Sequence, residues 1–309
     1  MLVVWDVNTG TPRKTIFSPH PDGVEALDIS PEGDMIVTLS RNATPNQQWV
    51  TLWRWEEEEP CFITSKMDDQ VDSMQKFVKF NPNQNEFVTT GESRIVFWLW
   101  DNSEKGSFEL YAPSVPPKRS LTQTVFIPGT PQAVSGTKEG LIIVWDISLI
   151  MEDYTQPEER RAIKQVNLMN NPNKIDQMKK NTTSTAITVL KMEGDFLVVG
   201  ASNGSIRFYD KQYRIEAWFE DIDLGCIQTI SFSEVEEDRE EESEGPGKGF
   251  SCKDFIVVDN HARITQLKSS LFEEIEREEK KGRVLLESFV APIVCSAVRP
   301  FANTIIISC

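Results

Sequence analysis

Short apolar segments of alternating pattern recur along the chain and close on an aromatic residue, often followed by Asp. They read LVVWD ending at Asp6, VTLWRW around Trp53, IVFWLW around Trp98, LIIVWD ending at Asp146 and SIRFYD ending at Asp210, with a weaker ARITQL around Leu267. Period-two alternation over a few residues predicts half-buried strands. The anchors Trp5, Trp53, Trp98 and Trp145 recur every 45 to 48 residues, and Tyr209 and Leu267 follow at about 60. Insertions account for the longer steps.

A second pattern precedes each anchor. In HPDGVEALDISPEGDMIVTLS (residues 20–40) a His stands before a strand holding Val24, Ala26, Leu27 and Ile29, a Ser-Pro-Glu-Gly turn follows, and a second strand runs from Met35 to Leu39. The plan returns as FVKFNPNQNEFVTTG, TVFIPGTPQAVSG, ITVLKMEGDFLVVG, IQTISFS with DFIVVD, and IVCSAVRPFANTIIIS. TKEG at 137–140 and SNG at 202–204 supply turn residues before the anchor strand. A fourth strand follows each of five anchors: PRKTIF, CFITSK, FELYA, IEAWFE and RVLLESF.

Four short strands per unit, repeated side by side, is the blade plan of a β-propeller, so the expected fold class is all-β. Five complete blades are expected near 25–67, 75–112, 121–169, 186–220 and 226–289. The chain starts on a third strand at Leu2 and stops after a second strand at Ile307. Either these halves close a sixth, composite blade or the sequence is cut from a longer protein. One propeller over residues 1–309 is the expected domain organisation. Three insertions are expected in it: an acidic loop at 233–250, a stretch at 149–183, and a short helix at 270–282 with Glu276 and Lys280 at i,i+4 spacing.

Together the aromatic-Asp anchors, the block from His20 to Gly33 and the strings SGTKEGLIIVWD and GASNGSIRFYD resemble the WD-repeat family. Within that family the strings QKFVKFNPNQNEFVTTG, SGTKEGLIIVWDISLI and ITVLKMEGDFLVVGASNGSIRFYDKQYRIEAWFEDIDLGCIQTISFS are similar to ciliary and flagellar WD-repeat proteins. The resemblance implies a structural subunit of the motile axoneme, in the calmodulin- and spoke-associated complex at the base of a radial spoke. It implies spoke-base subunits and a calmodulin-containing complex as partners, and axonemal localisation. Such proteins are longer, with two propellers and calcium-binding-like C-terminal helices. No D-x-[DN]-x-[DN]-G loop occurs here, so calcium sensing is not carried over. As WD-repeat positions, Trp5, Asp6, Trp53, Trp98, Trp145, Asp146, Tyr209 and Asp210 are expected to be structural. His20 is expected to hydrogen-bond within its blade, and the tryptophans to pack between blades.

Composition narrows the chemistry. The 309 residues carry 48 acidic and 32 basic side chains, for a net charge of -16. Residues 56–59, 234–244 and 273–281 contribute -4, -7 and -2, leaving -3 for everything else. An acidic average surface opposes broad attraction to nucleic acid or anionic membrane, and neither is expected as a partner. No apolar run reaches membrane-spanning length and no signal peptide opens the chain, so a cytosolic place is the expectation. Five scattered cysteines without CxxC spacing suggest neither a disulfide framework nor a zinc site.

No P-loop, GxGxxG, HExxH or G-x-S-x-G string occurs, and there are two histidines, of which His261 is expected on a solvated turn. No catalytic, cofactor or metal site is expected. The basic stretch 160–180 holds Arg160, Arg161, Lys164, Lys174, Lys179 and Lys180 against Asp176. It reads either as a solvated insertion or as a contact for an acidic partner such as calmodulin or a tubulin tail. The functional expectation is a non-enzymatic protein-interaction scaffold of the axoneme, needed for motility. The alternatives are a general cytosolic adaptor (ubiquitin-ligase substrate receptor or trafficking subunit) and an enzyme with its site in the propeller channel.

Overall fold

The computed structural model describes residues 1–6, 9–42, 44–57, 61–67, 73–100, 107–116, 118–147, 160–169, 185–220, 222–233, 250, 252–268, 282–287, 295–298 and 305–308. The chain falls into two compact units, Met1–Asn170 and Asn171–Cys309. In the first, β1 (Leu2–Trp5) and β2 (Pro12–Ile16) form a two-stranded sheet. Blade 1 follows as β3 (Val24–Ile29), β4 (Met35–Ser40), β5 (Trp49–Arg54) and β6 (Cys61–Lys66). Blade 2 is β7 (Gln75–Phe80), β8 (Glu86–Gly91), β9 (Ile95–Trp100) and β10 (Phe108–Tyr111). Blade 3 is β11 (Leu121–Phe126), β12 (Ala133–Thr137), β13 (Leu141–Ile147) and β14 (Arg160–Asn167).

The second unit holds blade 4, made of β15 (Ile187–Glu193), β16 (Phe196–Ala201), β17 (Ile206–Tyr209) and β18 (Ile215–Phe219). Blade 5 is β19 (Ile227–Phe232), β20 (Phe255–Asp259), β21 (Arg263–Leu267) and β22 (Arg283–Glu287). A last two-stranded sheet pairs β23 (Cys295–Val298) with β24 (Ile305–Ser308). Five four-stranded antiparallel blades, each in simple up-and-down order, match the repeat read from the sequence.

Each blade buries both faces of its two middle strands, so β4, β8 and β12 are buried along their whole length. Alternate residues serve opposite faces. Val37, Leu39, Val50 and Leu52 of blade 1 meet Val78, Phe80, Phe87, Val96, Trp98 and Trp100 of blade 2. Val88, Ile95 and Phe97 then meet Leu121, Phe126, Ile143 and Trp145 of blade 3. In the second unit Phe208, Ala217 and Phe219 meet Ile230, Phe232, Phe255 and Val257.

Two glycines close turns that other residues would strain. Gly140 (φ 77°) ends the TKEG turn. Gly204 (φ 81°) ends the SNG turn where a Cβ would lie 2.1 Å from the carbonyl oxygen of Leu224. A bulge recurs in the pairing of the anchor strand with the outer strand, beside the anchor residue in four sheets and two residues before Leu267 in blade 5. The register slips between Val4 and Trp5, Leu52 and Trp53, Val144 and Trp145, Phe208 and Tyr209, and Ile264 and Thr265, so the outer strand carries one extra residue each time. Blade 2 lacks this slip.

Two expectations are corrected. The stretch 149–183 was expected as an insertion, but 160–167 is β14, the fourth strand of blade 3. As an edge strand it pairs on one side and faces solvent elsewhere, so its sequence lost the alternation that marks a buried strand. Trp5 does not pack between blades: it is 56% exposed. Trp98 and Trp145 each pack against the preceding blade and Trp53 against the β1–β2 sheet. Leu2, Val4 and Ile16 cover Ile36, Trp53 and Trp55 of blade 1, which leaves Trp5 on the opposite face of β1. The acidic run 234–249 and the helical segment expected at 270–282, up to residue 281, lie outside the described residues.

Candidate protein-interaction surface

The polar residues inside the blades serve the fold. In blade 1 the indole N–H of Trp53 donates to Thr38 Oγ1 over 2.7 Å, and His20 Nε2 lies 2.8 Å from the same oxygen. The Thr38 hydroxyl points to the carbonyl of Thr51 at 3.4 Å. Burial holds the His20 pKa below its ordinary value, against an opposing hydrogen bond at Thr38. A neutral imidazole therefore joins a chain from loop to second strand to anchor strand. Blade 2 repeats the last link, with Trp98 Nε1 donating to Thr89 Oγ1 at 3.0 Å. In blade 3 Trp145 Nε1 donates to Ser135 Oγ at 2.8 Å, and Ser135 continues through Thr124 (2.6 Å) to Thr90 of blade 2 (2.8 Å).

The aspartates beside the anchors cap turns. Asp210 accepts the backbone N–H groups of Gln212 and Arg214 and the Arg214 guanidinium (2.6 Å). Partial desolvation acts to raise its pKa, but these bonds outweigh it and hold the carboxyl below its usual range. Asp6 accepts from the N–H of Thr9, and Asp146 from Gln132 and its own neighbour Ile147. Tyr209 is buried, and burial pushes its phenol pKa up. Sequence reasoning passed over Asp259. It is fully buried, accepts the N–H groups of Gly225, His261 and Arg263, and so ties the β20–β21 turn to the segment entering β19. His261 itself is exposed on that turn.

Arg160, read in the sequence as part of a partner-contacting basic stretch, is a buried pin between blades 2 and 3. Its guanidinium grips Glu86 through two bonds, Nε to Oε1 at 2.9 Å and Nη2 to Oε2 at 2.7 Å, and the two side chains are 2% and 4% exposed. Its Nη1 donates to the carbonyl of Pro131. The cation sits 5.2 Å from the Phe97 ring centre and 5.5 Å from that of Phe126. Asn81 donates to the Glu86 carboxylate at 2.6 Å. Arg161 and Lys164 of the same stretch stand exposed on β14. Lys174, Lys179 and Lys180 lie outside the described residues.

Among the described residues no group of three His, Cys, Asp or Glu side chains is placed to hold a metal ion. Among the described residues no helix is long and apolar enough to cross a membrane. What the blades offer outward is surface. Exposed apolar residues within the blades include Leu27 and Ile29 on β3, Trp49 on β5, Leu99 on β9, Ile163 on β14, Ile215 and Trp218 on β18, and Val284, Leu285 and Leu286 on β22. Six of these ten are on fourth strands, where the scaffold fixes side chains without using them in its core.

Residues 1–272 match the family model described as the CFAP251 N-terminal domain. The chain is 51% identical over its whole length to cilia- and flagella-associated protein 251 of Tetrahymena thermophila, covering 32% of that relative. It is 32% identical to the Chlamydomonas reinhardtii protein of the same name, with 97% of the chain and 38% of the relative covered. The chain thus spans about a third of the length of these relatives. Among solved structures, the beta-propeller domain of Myceliophteria thermophila Cps50 (Swd1) aligns with TM-score 0.65 over 99% of this chain and 85% of that one, at 16% identity. The C-terminal WD40 domain of Sif2 aligns with TM-score 0.57. The repeat of five blades, the links from anchor tryptophan to buried hydroxyl in blades 1 to 3 and the match over residues 1–272 lead to one conclusion: the chain belongs to the CFAP251 family, in the part that carries its N-terminal WD-repeat domain.

Proposed function

We propose that the chain is a non-enzymatic protein-interaction scaffold of the motile cilium or flagellum, a structural subunit associated with the radial spoke. The observation that carries this reading is the division of labour in the blades. Buried hydroxyls, His20 and the Arg160–Glu86 pair are consumed in holding strands and blades together, while the fourth strands present side chains at fixed positions. Partners would be spoke-base subunits and a calmodulin-containing complex, recognised by the outer strands and loops. Relatives named as cilia- and flagella-associated proteins support the ciliary setting.

The test is a tagged chain expressed in ciliated cells from which the endogenous protein has been removed. Axonemal signal that survives detergent extraction, with a defect in beating that the full-length protein repairs, is the expected result. A diffuse cytosolic signal in ciliated cells would overturn the ciliary reading in favour of a general adaptor.

A further inference from the structure

β14 differs from the strand that its repeat phase leads one to expect. It is eight residues long, and Arg161, Ala162, Ile163, Lys164 and Gln165 are all exposed. The register pairs Val144 with Lys164 and Trp145 with Ala162, so Ile163 is the extra residue of the bulge, and it stands 55% exposed. Arg161 and Lys164 oppose Asp146 and Val144, which share one face of β13, so both cations lie on the same face of β14. A further pair of cations arrives on the segment leading into β11. The Arg119 guanidinium donates to Gln165 Oε1 at 3.0 Å, and exposed Lys118 precedes it. Gln165 opposes Ile143 and so lies on the other face of β14, which places Arg161 and Lys164 on one side of the protruding Ile163 and Arg119 with Lys118 on the other, with Asp146 opposite Arg161.

The start of the strip is rigid, because Arg160 is locked to Glu86 and Pro131. A partner that binds here does not have to order the strand, which lowers the entropic cost of docking. Ionic contacts at such a rim act over about a Debye length and fade with salt. The chain as a whole is acidic, at -16, so a long polyanion is repelled by the remainder of the surface, whereas a short segment need meet only this rim.

Resting on the scaffold reading above, we propose that the outer rim of blade 3, formed by Arg161, Ile163, Lys164, Arg119 and Lys118, docks an acidic peptide segment of a partner protein. An apolar residue of that segment would cover Ile163, and its carboxylates would meet the cations on either side.

The probe is a short fluorescein-labelled peptide rich in glutamate with one leucine at its centre, titrated against the whole chain by anisotropy. Saturable binding that weakens as salt is raised is expected. The Arg161→Glu/Lys164→Glu double variant should weaken it at least about tenfold, and Ile163→Ser should weaken it without changing the salt dependence. Charge reversal elsewhere, as in Arg41→Glu/Lys211→Glu, should leave it unaltered. All four positions have exposed or partly exposed side chains, and an unchanged thermal midpoint verifies that each variant is folded. No saturable binding, or equal loss in both double variants, overturns the proposal. So does tighter binding of duplex DNA or anionic vesicles than of peptide. A salt-sensitive dimer abolished by the blade 3 variant would assign the rim to the acidic run of a second copy and overturn the partner-segment assignment. Localisation of the same variants is scored separately, so a failure of the scaffold reading shows as lost axonemal signal whatever the peptide does.

Discussion

Thr38 carries more of blade 1 than its size suggests. One hydroxyl oxygen receives the Trp53 indole N–H and meets His20, both inside the protein. Thr38→Val keeps the shape and removes the oxygen, leaving a buried indole N–H without its acceptor. Such a loss costs about 1–3 kcal/mol, to be read as a lower urea midpoint with an unchanged m-value. Thr38→Ser keeps the oxygen and should recover most of that loss.

His20 makes a second prediction at this scale. Its folded pKa is lowered by burial from the ordinary value of 6.5, so the unfolded chain binds its proton first as pH falls. Stability linked to His20 is thus complete above about 6.5 and declines below it, down to the lowered folded pKa. Thermal midpoints measured from pH 7.5 to 5 should fall, and the slope should flatten in His20→Gln. Carboxylates such as Asp210, whose folded pKa is depressed, act at lower pH and leave this window to the histidine. An equal slope in wild type and variant would contradict the assignment.

At the scale of the element, β14 teaches most. The anchor strands were legible because both of their faces are buried and their apolar runs are dense: LIIVWD and IVFWLW announce β13 and β9 directly. The first and second strands were legible through their turns. The RRAIKQVN of β14 announces nothing, because an edge strand with six exposed residues need not alternate. Nor does any local signal show that Arg160 is buried while Arg161 is not. That difference depends on Glu86, 74 residues away, and on two phenylalanines from two blades. Trp5 failed in the opposite sense: its string is the full anchor motif, yet it stands exposed, because the apolar residues of β1 that cover blade 1 are Leu2 and Val4 on the other face. Asp259 was missed because it lies in the weakest repeat.

The Arg160–Glu86 pair allows a sharp test. Arg160→Met removes the cation and leaves a buried carboxylate beside aromatic rings, which costs about 3–5 kcal/mol. Arg160→Met/Glu86→Gln removes both charges, keeps a hydrogen-bonding group for Asn81, and should regain much of the loss. Chemical denaturation of the single and double variants gives the coupling directly. A double variant no more stable than Arg160→Met would show that the hydrogen bonds to Pro131 and the ring contacts, rather than the ion pair, dominate.

At the scale of the whole molecule, charge and fold separate. The acidic run that joins β19 to β20 holds much of the net charge, yet the strands on either side are joined without it: Phe232 opposes Phe255, and the N–H of Ser233 donates to the carbonyl of Asp254 at 2.8 Å. Removing residues 234–248 takes away eight acids and two bases, so the net charge moves from -16 to -10. A shorter connection changes loop-closure entropy by less than about 1 kcal/mol. The thermal midpoint should therefore hold while the protein elutes earlier from an anion exchanger. The boundary of the deletion matters. Phe250 lies 4.9 Å from the Phe208 ring and 5.0 Å from that of Phe196, and Cys252 is buried beside them. Extending the deletion to 252 withdraws an aromatic ring from the core between blades 4 and 5 and should cost about 1.5–3 kcal/mol. A midpoint that falls with the shorter deletion would mean that the acidic run contributes to packing; one that holds with both would mean that Phe250 does not.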